Sequence, residues 1–180
     1  MVEENYILKK IKKTGVSLEE QVELLASILI CLEVSWKMTA VRELGFTRGR
    51  SLSYAAWKEI GRWGVRLAKA SGAKVSDLDG VFEVLKGAYR AFAQPIEILK
   101  DTPDEKVISV ESCPMPDYAI PTFGVEHGDE CTCIWRDDFH AWTEGAIEEA
   151  GLTGVITCRL LSSLCMGDKD EIVRLEKIKK

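Results

Sequence analysis

The fold is first indicated by residues 17–45, which read SLEEQVELLASILICLEVSWKMTAVRELG. Apolar residues recur in this stretch three or four positions apart, which is the spacing of a helix. Ser17 followed by Glu20 is typical of a capping box, in which each side chain satisfies the other residue's backbone N–H group. Gly45 is a natural stop for a helix. The pattern therefore predicts one long helix from about Leu18 to Leu44.

Two further helices are predicted after the first. The second extends from about Arg48 to Ala70 and carries two stripes, one apolar and one basic. The apolar stripe is Leu52, Ala56, Ile60, Trp63 and Leu67, and the basic stripe is Lys58, Arg62, Arg66 and Lys69. Gly61 and Gly64 each cost about 1 kcal/mol relative to alanine inside a helix, which usually indicates close approach by a neighbouring helix or a ligand. The third helix begins at Ser76 and ends before Pro95.

The second half of the chain combines short β-type runs with one helix. The predicted strands lie at about 96–99, 107–110, 155–161 and 172–178. Between the two pairs of strands, residues 138–150 predict a fourth helix that stops at Gly151. We therefore expect an α+β fold, in which three long N-terminal helices pack on a small antiparallel sheet of two hairpins with a further helix between them.

The composition is ordinary for one globular domain. The chain has 180 residues, of which 46% are hydrophobic and 29% are charged. We expect a single domain over residues 1–180, with the helical layer at about 17–94 and the sheet with the fourth helix at about 95–180. The net charge of -5 argues against nucleic acid as a partner, because phosphate binding needs a basic surface.

The first residues of the chain and the number of cysteines indicate the cellular compartment in which we expect the protein. Residues 1–13 lack the apolar segment of a signal peptide, and the longest apolar run, 24–32, is shorter than the roughly 20 residues of a membrane span. We therefore expect a cytoplasmic protein that does not bind membranes. Because thiols stay reduced in the cytosol, the six cysteines indicate metal binding, catalysis or burial instead of disulfides.

The candidate site is the cysteine-bearing stretch between Cys113 and Cys133. Thiolate sulfur and imidazole nitrogen are ligands that zinc favours, and four of them complete a tetrahedral site. The predicted metal ligands are Cys113, His127, Cys131 and Cys133. They would hold zinc or an iron–sulfur cluster, although a Cys-x-Cys pair is less typical of such sites than a Cys-x₂-Cys pair.

Other interpretations of these residues stay open. The cysteines are also compatible with small buried hydrophobic side chains, or with one reactive thiolate beside a positive charge or a helix N-terminus. His140 and Glu144, one helical turn apart, form either a general base or ligand pair, or an exposed ion pair. Trp135 and Trp142 either belong to the core or form a flat wall for a planar ligand.

Three segments carry a resemblance to a known family. They are residues 36–45, the Trp57 region with Arg66-Leu67, and Ser112-Cys113-Pro114. These segments resemble an uncharacterised bacterial and archaeal group that is associated with L-2-amino-thiazoline-4-carboxylic acid hydrolase. Met166-Gly167-Asp168 resembles the last hairpin of that group and of 4-vinyl-reductase-type ligand-binding domains.

The resemblance implies a helical layer on a small antiparallel sheet, with an internal pocket for a small molecule. One family activity is hydrolysis of a cyclic amidine such as a thiazoline, which needs an activated water or a thiolate and an acid to protonate the departing nitrogen. It implies Cys113 as a ligand or nucleophile, with His127 or His140 as the base. In related sequences a cysteine follows the Gly-Asp turn, whereas residues 169–171 are Lys-Asp-Glu here.

Three functions therefore remain as hypotheses. The first is a small-molecule-binding or sensor protein, whose cysteine-bearing segment holds zinc or an iron–sulfur cofactor. The second is a hydrolase of a small cyclic C–N substrate, with Cys113, His127 and His140 as its catalytic candidates. The third is a structural or interaction module in which the cysteines only pack. The expected partner is a small-molecule ligand, and a homodimer is an open alternative.

Overall fold

The computed structural model describes residues 17–92, 94–113, 124 and 126–179. This part of the chain forms four α-helices and a four-stranded antiparallel sheet. The helices are α1 (Leu18–Leu44), α2 (Phe46–Ala70), α3 (Leu78–Ala91) and α4 (Glu130–Glu149). The strands are β1 (Ile96–Asp101), β2 (Glu105–Val110), β3 (Ile156–Ser162) and β4 (Glu171–Lys177), with a 3-10 helix (Leu164–Met166) before β4. The predicted fold class is confirmed.

Helix α1 begins and ends where the sequence predicts. The Ser17 side chain accepts the Glu20 N–H group at 3.1 Å, and the Glu20 carboxylate accepts the Ser17 N–H group at 2.8 Å. The predicted capping box is therefore present. At the other end Gly45 adopts a φ angle of 77°, which L-residues with a side chain rarely adopt. The chain turns there and continues directly into α2.

Helix α4 begins earlier than the sequence predicts, at Glu130 and not near Asp138. The Asp129 carboxylate accepts the backbone N–H group of Thr132 at 3.0 Å. Asp129 thereby satisfies one of the first-turn N–H groups, as an N-cap residue does. Cys131 and Cys133 consequently belong to the first turn of this helix, whereas the predicted helix at 138–150 leaves them outside.

The sheet joins the two predicted hairpins through their second strands. Its order is β1-β2-β4-β3, and neighbouring strands are antiparallel. Where β2 pairs with β4, Ile108 lies opposite Val173. Both side chains are at most 1% exposed, so the two central strands supply the buried floor of the fold.

Two glycines bring α2 and α4 together backbone to backbone. A Cβ atom on Gly61 would lie 2.0 Å from the carbonyl oxygen of Trp142, and one on Gly145 would lie 1.9 Å from that of Lys58. The close approach predicted at Gly61 is confirmed, and the neighbour is a helix. At Gly64 the nearest atom to a Cβ would be 3.5 Å away, which is ordinary packing.

The basic stripe of α2 lies along the acidic side of α4. The ion pairs are Lys58 with Glu144 (3.0 Å) and Glu148 (2.7 Å), Arg62 with Glu148 (2.7 Å), and Arg66 with Glu149 (2.8 Å). Partly exposed pairs of this kind contribute little stability one by one. As a set they hold the two helices in one register, because these three cations each meet a carboxylate of the other helix and Lys69 donates to the backbone carbonyl of Glu149.

The buried apolar residues of the described chain form two clusters. The larger one packs α3 and α4 on the sheet, around Leu85, Trp142 and Ile108. The smaller one joins Val34 of α1 to Trp135 of α4 and to neighbouring residues. Among the described helices, none is both long and apolar enough to cross a bilayer.

Candidate functional site

A cavity of about 100 Å³ lies where the two apolar clusters meet. All four helices contribute to its wall, and β4 and the 3-10 helix complete it. The aromatic lining is Trp57, Tyr89, Phe92, Trp135, Phe139 and Trp142. The polar and sulfur-containing lining is Lys37, Gln94, Cys113, Arg136, Asp138, Cys165 and Glu171. An aromatic cavity with a few polar groups is typical of a small-molecule site.

A buried charged group borders this cavity, and we name it the Lys37 cluster: Glu33, Lys37, Ser53 and Asp138. The Lys37 ammonium is 2.5 Å from the Asp138 carboxylate and also pairs with Glu33. The Ser53 hydroxyl donates to Asp138 at 2.8 Å, and the Trp57 indole donates to Glu33 at 2.7 Å. Lys37 is only 4% exposed, and a charge so deeply buried is tolerated because it is paired.

Two buried polar atoms of α4 have no hydrogen-bond partner among the described residues. They are Trp135 Nε1 and Asp138 Oδ1, and both residues line the cavity. The two residues are 6% and 3% exposed. Buried polar atoms are almost always hydrogen-bonded, and leaving one without a partner costs about 1–3 kcal/mol. Two residues of the cavity wall therefore carry one N–H donor and one oxygen acceptor without a described partner.

A second buried polar pair also reaches the cavity. The Tyr89 hydroxyl donates to the Glu171 carboxylate at 2.7 Å. Burial raises the pKa of both groups, because neither charged form is well solvated there. Tyr89 therefore stays a neutral hydrogen-bond donor, and its only described acceptor is Glu171.

The protonation of Asp138 leads to a testable pH dependence. Burial raises its pKa to about 6, although Lys37 and Ser53 favour the carboxylate. Because this value lies above the ordinary 3.8, folding favours protonated Asp138. Its contribution to stability is complete below pH 3.8 and is lost as the pH rises through about 6.

Asp138→Asn is the matched variant for this effect, since asparagine does not titrate. Between about pH 4 and pH 7 we expect the wild type to lose about 2–3 kcal/mol more unfolding free energy than Asp138→Asn. Urea denaturation at a series of pH values measures the difference. Parallel pH profiles for the two proteins would contradict the assignment.

The predicted catalytic residues lie in different surroundings. Cys113 lines the aromatic cavity, whereas His140 lines a second cavity of about 310 Å³ together with Cys158. His127 is exposed and lies beside Gly167. A shared reaction centre would need these three residues in one place, and the structure describes them in three. The catalytic roles of Cys113, His127 and His140 stay predictions.

The predicted metal ligands are only partly described. Among the described residues, no three His, Cys, Asp or Glu side chains gather to hold a metal ion. The Cys133 thiol lies 3.9 Å from the carbonyl oxygen of Gly128. The side chain of Cys131 lies outside the described part of the chain. The zinc or iron–sulfur site at Cys113, His127, Cys131 and Cys133 therefore stays a prediction.

The surroundings of the second cavity do not favour a nucleophile. Glu144 accepts a hydrogen bond from the Tyr54 hydroxyl at 2.7 Å and pairs with Lys58. Both of these partners are residues of α2, and neither is His140. Burial lowers the pKa of His140 and raises the pKa of Cys158 to about 12. Cys158 therefore remains a thiol near neutral pH, and a thiol is a weak nucleophile.

The most informative cavity residue, Lys37, was not predicted from the sequence. It lies on the same helical face as Ile30 and Val34, whose side chains are at most 9% exposed. A lysine at a core position of an amphipathic helix is a usable signal, because an unpaired charge there would be costly. The partner of Lys37 could not be inferred in this way, since Asp138 is distant in sequence.

Comparison with solved structures identifies the fold. One match is trafficking protein particle complex subunit 3 from Naegleria fowleri, covalently bound to palmitic acid. Its TM-score is 0.61 and its sequence identity is 13%, and the match covers 87% of this chain and 97% of that chain. The phenol-responsive sensory domain of the transcription activator PoxR, with phenol, matches with a TM-score of 0.55 and 19% identity, over 84% of this chain and 74% of that chain. The likeness establishes a shared α+β fold.

The comparisons of the sequence with protein families and with curated proteins give no match. No family model matches the chain, and no curated protein matches it significantly. The expected relation to the thiazoline hydrolase group is therefore not supported. The other half of the resemblance, to small α+β domains that hold a ligand, agrees with the fold of the two structural neighbours.

Proposed function

We propose that this chain is a small-molecule-binding domain of the sensory type, and that its ligand occupies the aromatic cavity. The observation that carries the proposal is the pair of buried atoms without a described partner, Trp135 Nε1 and Asp138 Oδ1, at a cavity lined by aromatic rings. The two structural neighbours support it, since one holds phenol and the other palmitic acid.

The two atoms specify the ligand's polar group. An indole N–H group donates, and a carboxylate oxygen accepts. A hydroxyl group can accept from the first and donate to the second, so it is the simplest ligand group that could pair with either atom. The ligand we propose is a small, mainly apolar molecule that bears a hydroxyl group.

The charges of the cavity favour a neutral ligand. The two cations of its described lining are already engaged, Lys37 with Glu33 and Asp138, and Arg136 with Asp137 at 3.2 Å. A carboxylate ligand would have to compete with these protein carboxylates. It would also add a negative charge beside Asp138, which is unfavourable where water is excluded.

The size of the cavity limits the ligand further. Clefts for drug-sized molecules are about 300–1,000 Å³, whereas this cavity is about 100 Å³. It suits a single ring or a short chain. Aromatic walls would pack on the faces or edges of such a ring.

Calorimetric titration with phenol and toluene tests the proposal, because these ligands differ in the hydroxyl group. We expect phenol to bind at least about tenfold more tightly than toluene, since pairing a buried polar atom that lacks a partner removes a cost of about 1–3 kcal/mol. Trp135→Phe and Asp138→Asn should each weaken phenol binding about tenfold and leave toluene binding unchanged.

Trp63→Phe is the control, because Trp63 is 54% exposed and is not among the cavity residues. It should bind phenol as the wild type does. Equal affinity for phenol and toluene would contradict the hydroxyl requirement. Absence of binding by phenol, cyclohexanol and short-chain alcohols alike would contradict the proposed function itself.

A further inference from the structure

The outer face of the α1–α2 hairpin is apolar, and no part of the described chain covers it. Among the residues with described burial, ten large apolar side chains of these two helices are 45–62% exposed. Leu25, Leu29 and Leu32 represent them on α1, and Trp63 and Leu67 on α2. Single exposed leucines are common in soluble proteins, but a continuous apolar patch of more than a few hundred Å² marks an interaction site.

Helix α1 has two apolar faces where a surface helix has one. Ile30 and Val34 face the core and are at most 9% exposed, whereas Leu25, Leu29 and Leu32 are 50–61% exposed on another face. A helix at the surface of a monomer presents polar residues on its outer side. Among the described residues, nothing packs on the second apolar face of α1.

The exposed faces of the two helices are continuous. A shallow groove of about 540 Å³ is lined by Leu32, Trp36 and Leu44 of α1 together with Leu52 of α2. Because α2 follows α1 directly after Gly45, the two apolar stripes run side by side along the hairpin. We name this surface the hairpin patch.

We propose that the hairpin patch is the interface of a symmetric homodimer, with the patch of a second copy as its occupant. At roughly 100 Å² for each half-exposed large side chain, ten of them present on the order of 1,000 Å² of mostly apolar surface. A standard interface takes about 800 Å² from each partner. A two-fold axis places identical patches against each other, and an apolar patch is complementary to itself.

The charges near the patch favour a second copy over a lipid surface. Membrane-surface helices present lysine and arginine beside their apolar face, where these meet anionic headgroups. On α2 the corresponding cations, Lys58, Arg62 and Arg66, pair with α4 carboxylates. The net charge of the chain, -5, also opposes binding to an anionic membrane.

Light scattering coupled to size-exclusion chromatography on the full chain tests the dimer. We expect the wild type to have twice the mass of one chain at micromolar concentration. Leu29→Glu combined with Leu67→Glu should give the mass of one chain with an unchanged far-ultraviolet circular dichroism spectrum. Leu99→Glu is the matched control, because Leu99 is 51% exposed but lies on β1, and it should remain dimeric.

Two results would overturn the proposal. One is a wild type with the mass of a single chain, and sedimentation of that protein with phosphatidylcholine vesicles would then assign the patch to a lipid surface. The other is a folded double variant that keeps the dimer mass, which would place the interface elsewhere. If the double variant does not fold, the milder Leu67→Gln should still raise the dissociation constant of the dimer about tenfold or more, since it buries a polar amide in the interface.

Discussion

Gly145→Ala is expected to destabilise the protein by about 4 kcal/mol or more, which is among the largest effects that a single methyl group produces. The added carbon would lie 1.9 Å from the carbonyl oxygen of Lys58 and 2.8 Å from its carbonyl carbon. Both contacts are with backbone, so no change of side-chain rotamer relieves them. Helices α2 and α4 would have to separate, and their ion pairs would lengthen at the same time.

Gly87→Ala is the matched control for this substitution. Gly87 lies inside α3, and a Cβ atom on it would have no atom within 4 Å apart from its own helix and chain neighbours. Alanine there should raise the free energy of unfolding by about 0.5–1 kcal/mol, because glycine has more conformational freedom to lose. Urea denaturation of both variants gives the comparison. A Gly145→Ala protein within 1 kcal/mol of the wild type would mean that α2 and α4 are farther apart than described.

Lys37→Met is expected to be the second most damaging change, at about 3–5 kcal/mol near neutral pH. Methionine has nearly the length of lysine but no charge, so the packing is kept while Asp138 and Glu33 lose their shared cation. Asp138 is then a buried carboxylate with Ser53 as its remaining described partner in the Lys37 cluster. The loss arises from that uncompensated charge, and not from the strength of the original pair.

The pH dependence distinguishes this cause from a packing defect. Removing Lys37 takes away an influence that lowers the pKa of Asp138, so its pKa should rise further in the variant. Asp138 then binds a proton readily below about pH 6, and the destabilisation should be smaller at about pH 5 than at about pH 8. A penalty independent of pH would contradict this explanation.

Lys86→Met controls for the loss of a lysine as such. Lys86 pairs with Glu83, whose side chain is 63% exposed, and it lies 5.0 Å above the Phe82 ring. An ion pair in contact with water is worth little. We therefore expect Lys86→Met to change the free energy of unfolding by less than about 1 kcal/mol, at either pH.

Local signals explain which parts of the fold could be predicted from the sequence. The capping box at Ser17 and the glycine at Gly45 predicted both ends of α1, because each acts on backbone groups within one turn. The cost of Gly61 inside a helix correctly indicated close packing. The start of α4 was predicted wrongly, because the prediction at 138–150 took no account of Asp129, whose carboxylate accepts the Thr132 N–H group in the first turn.

The cavity depends on contacts between distant residues, and this is why its main features were not predicted. Lys37 and Asp138 are about a hundred positions apart in the chain, and pairing at that distance leaves no periodic pattern. The pairing of β2 with β4 has the same character. The cysteines attracted attention through their residue type, yet of the five whose side chains are described only Cys113 and Cys165 line the cavity. The other residues of the cavity wall are there because of their burial and their contacts, and residue type alone does not reveal either of these.

The position of β4 in the sheet has a consequence for biosynthesis. It is the last described strand along the chain, yet it pairs with both β2 and β3 at the centre of the sheet. While the nascent chain is still on the ribosome, the β1–β2 hairpin can form, but it lacks the strand that joins it to β3. The sheet can close only after residues 171–177 have left the exit tunnel. Until then the inner edge of β2 is open, and such an edge is a site for pairing with other chains and for recognition by chaperones.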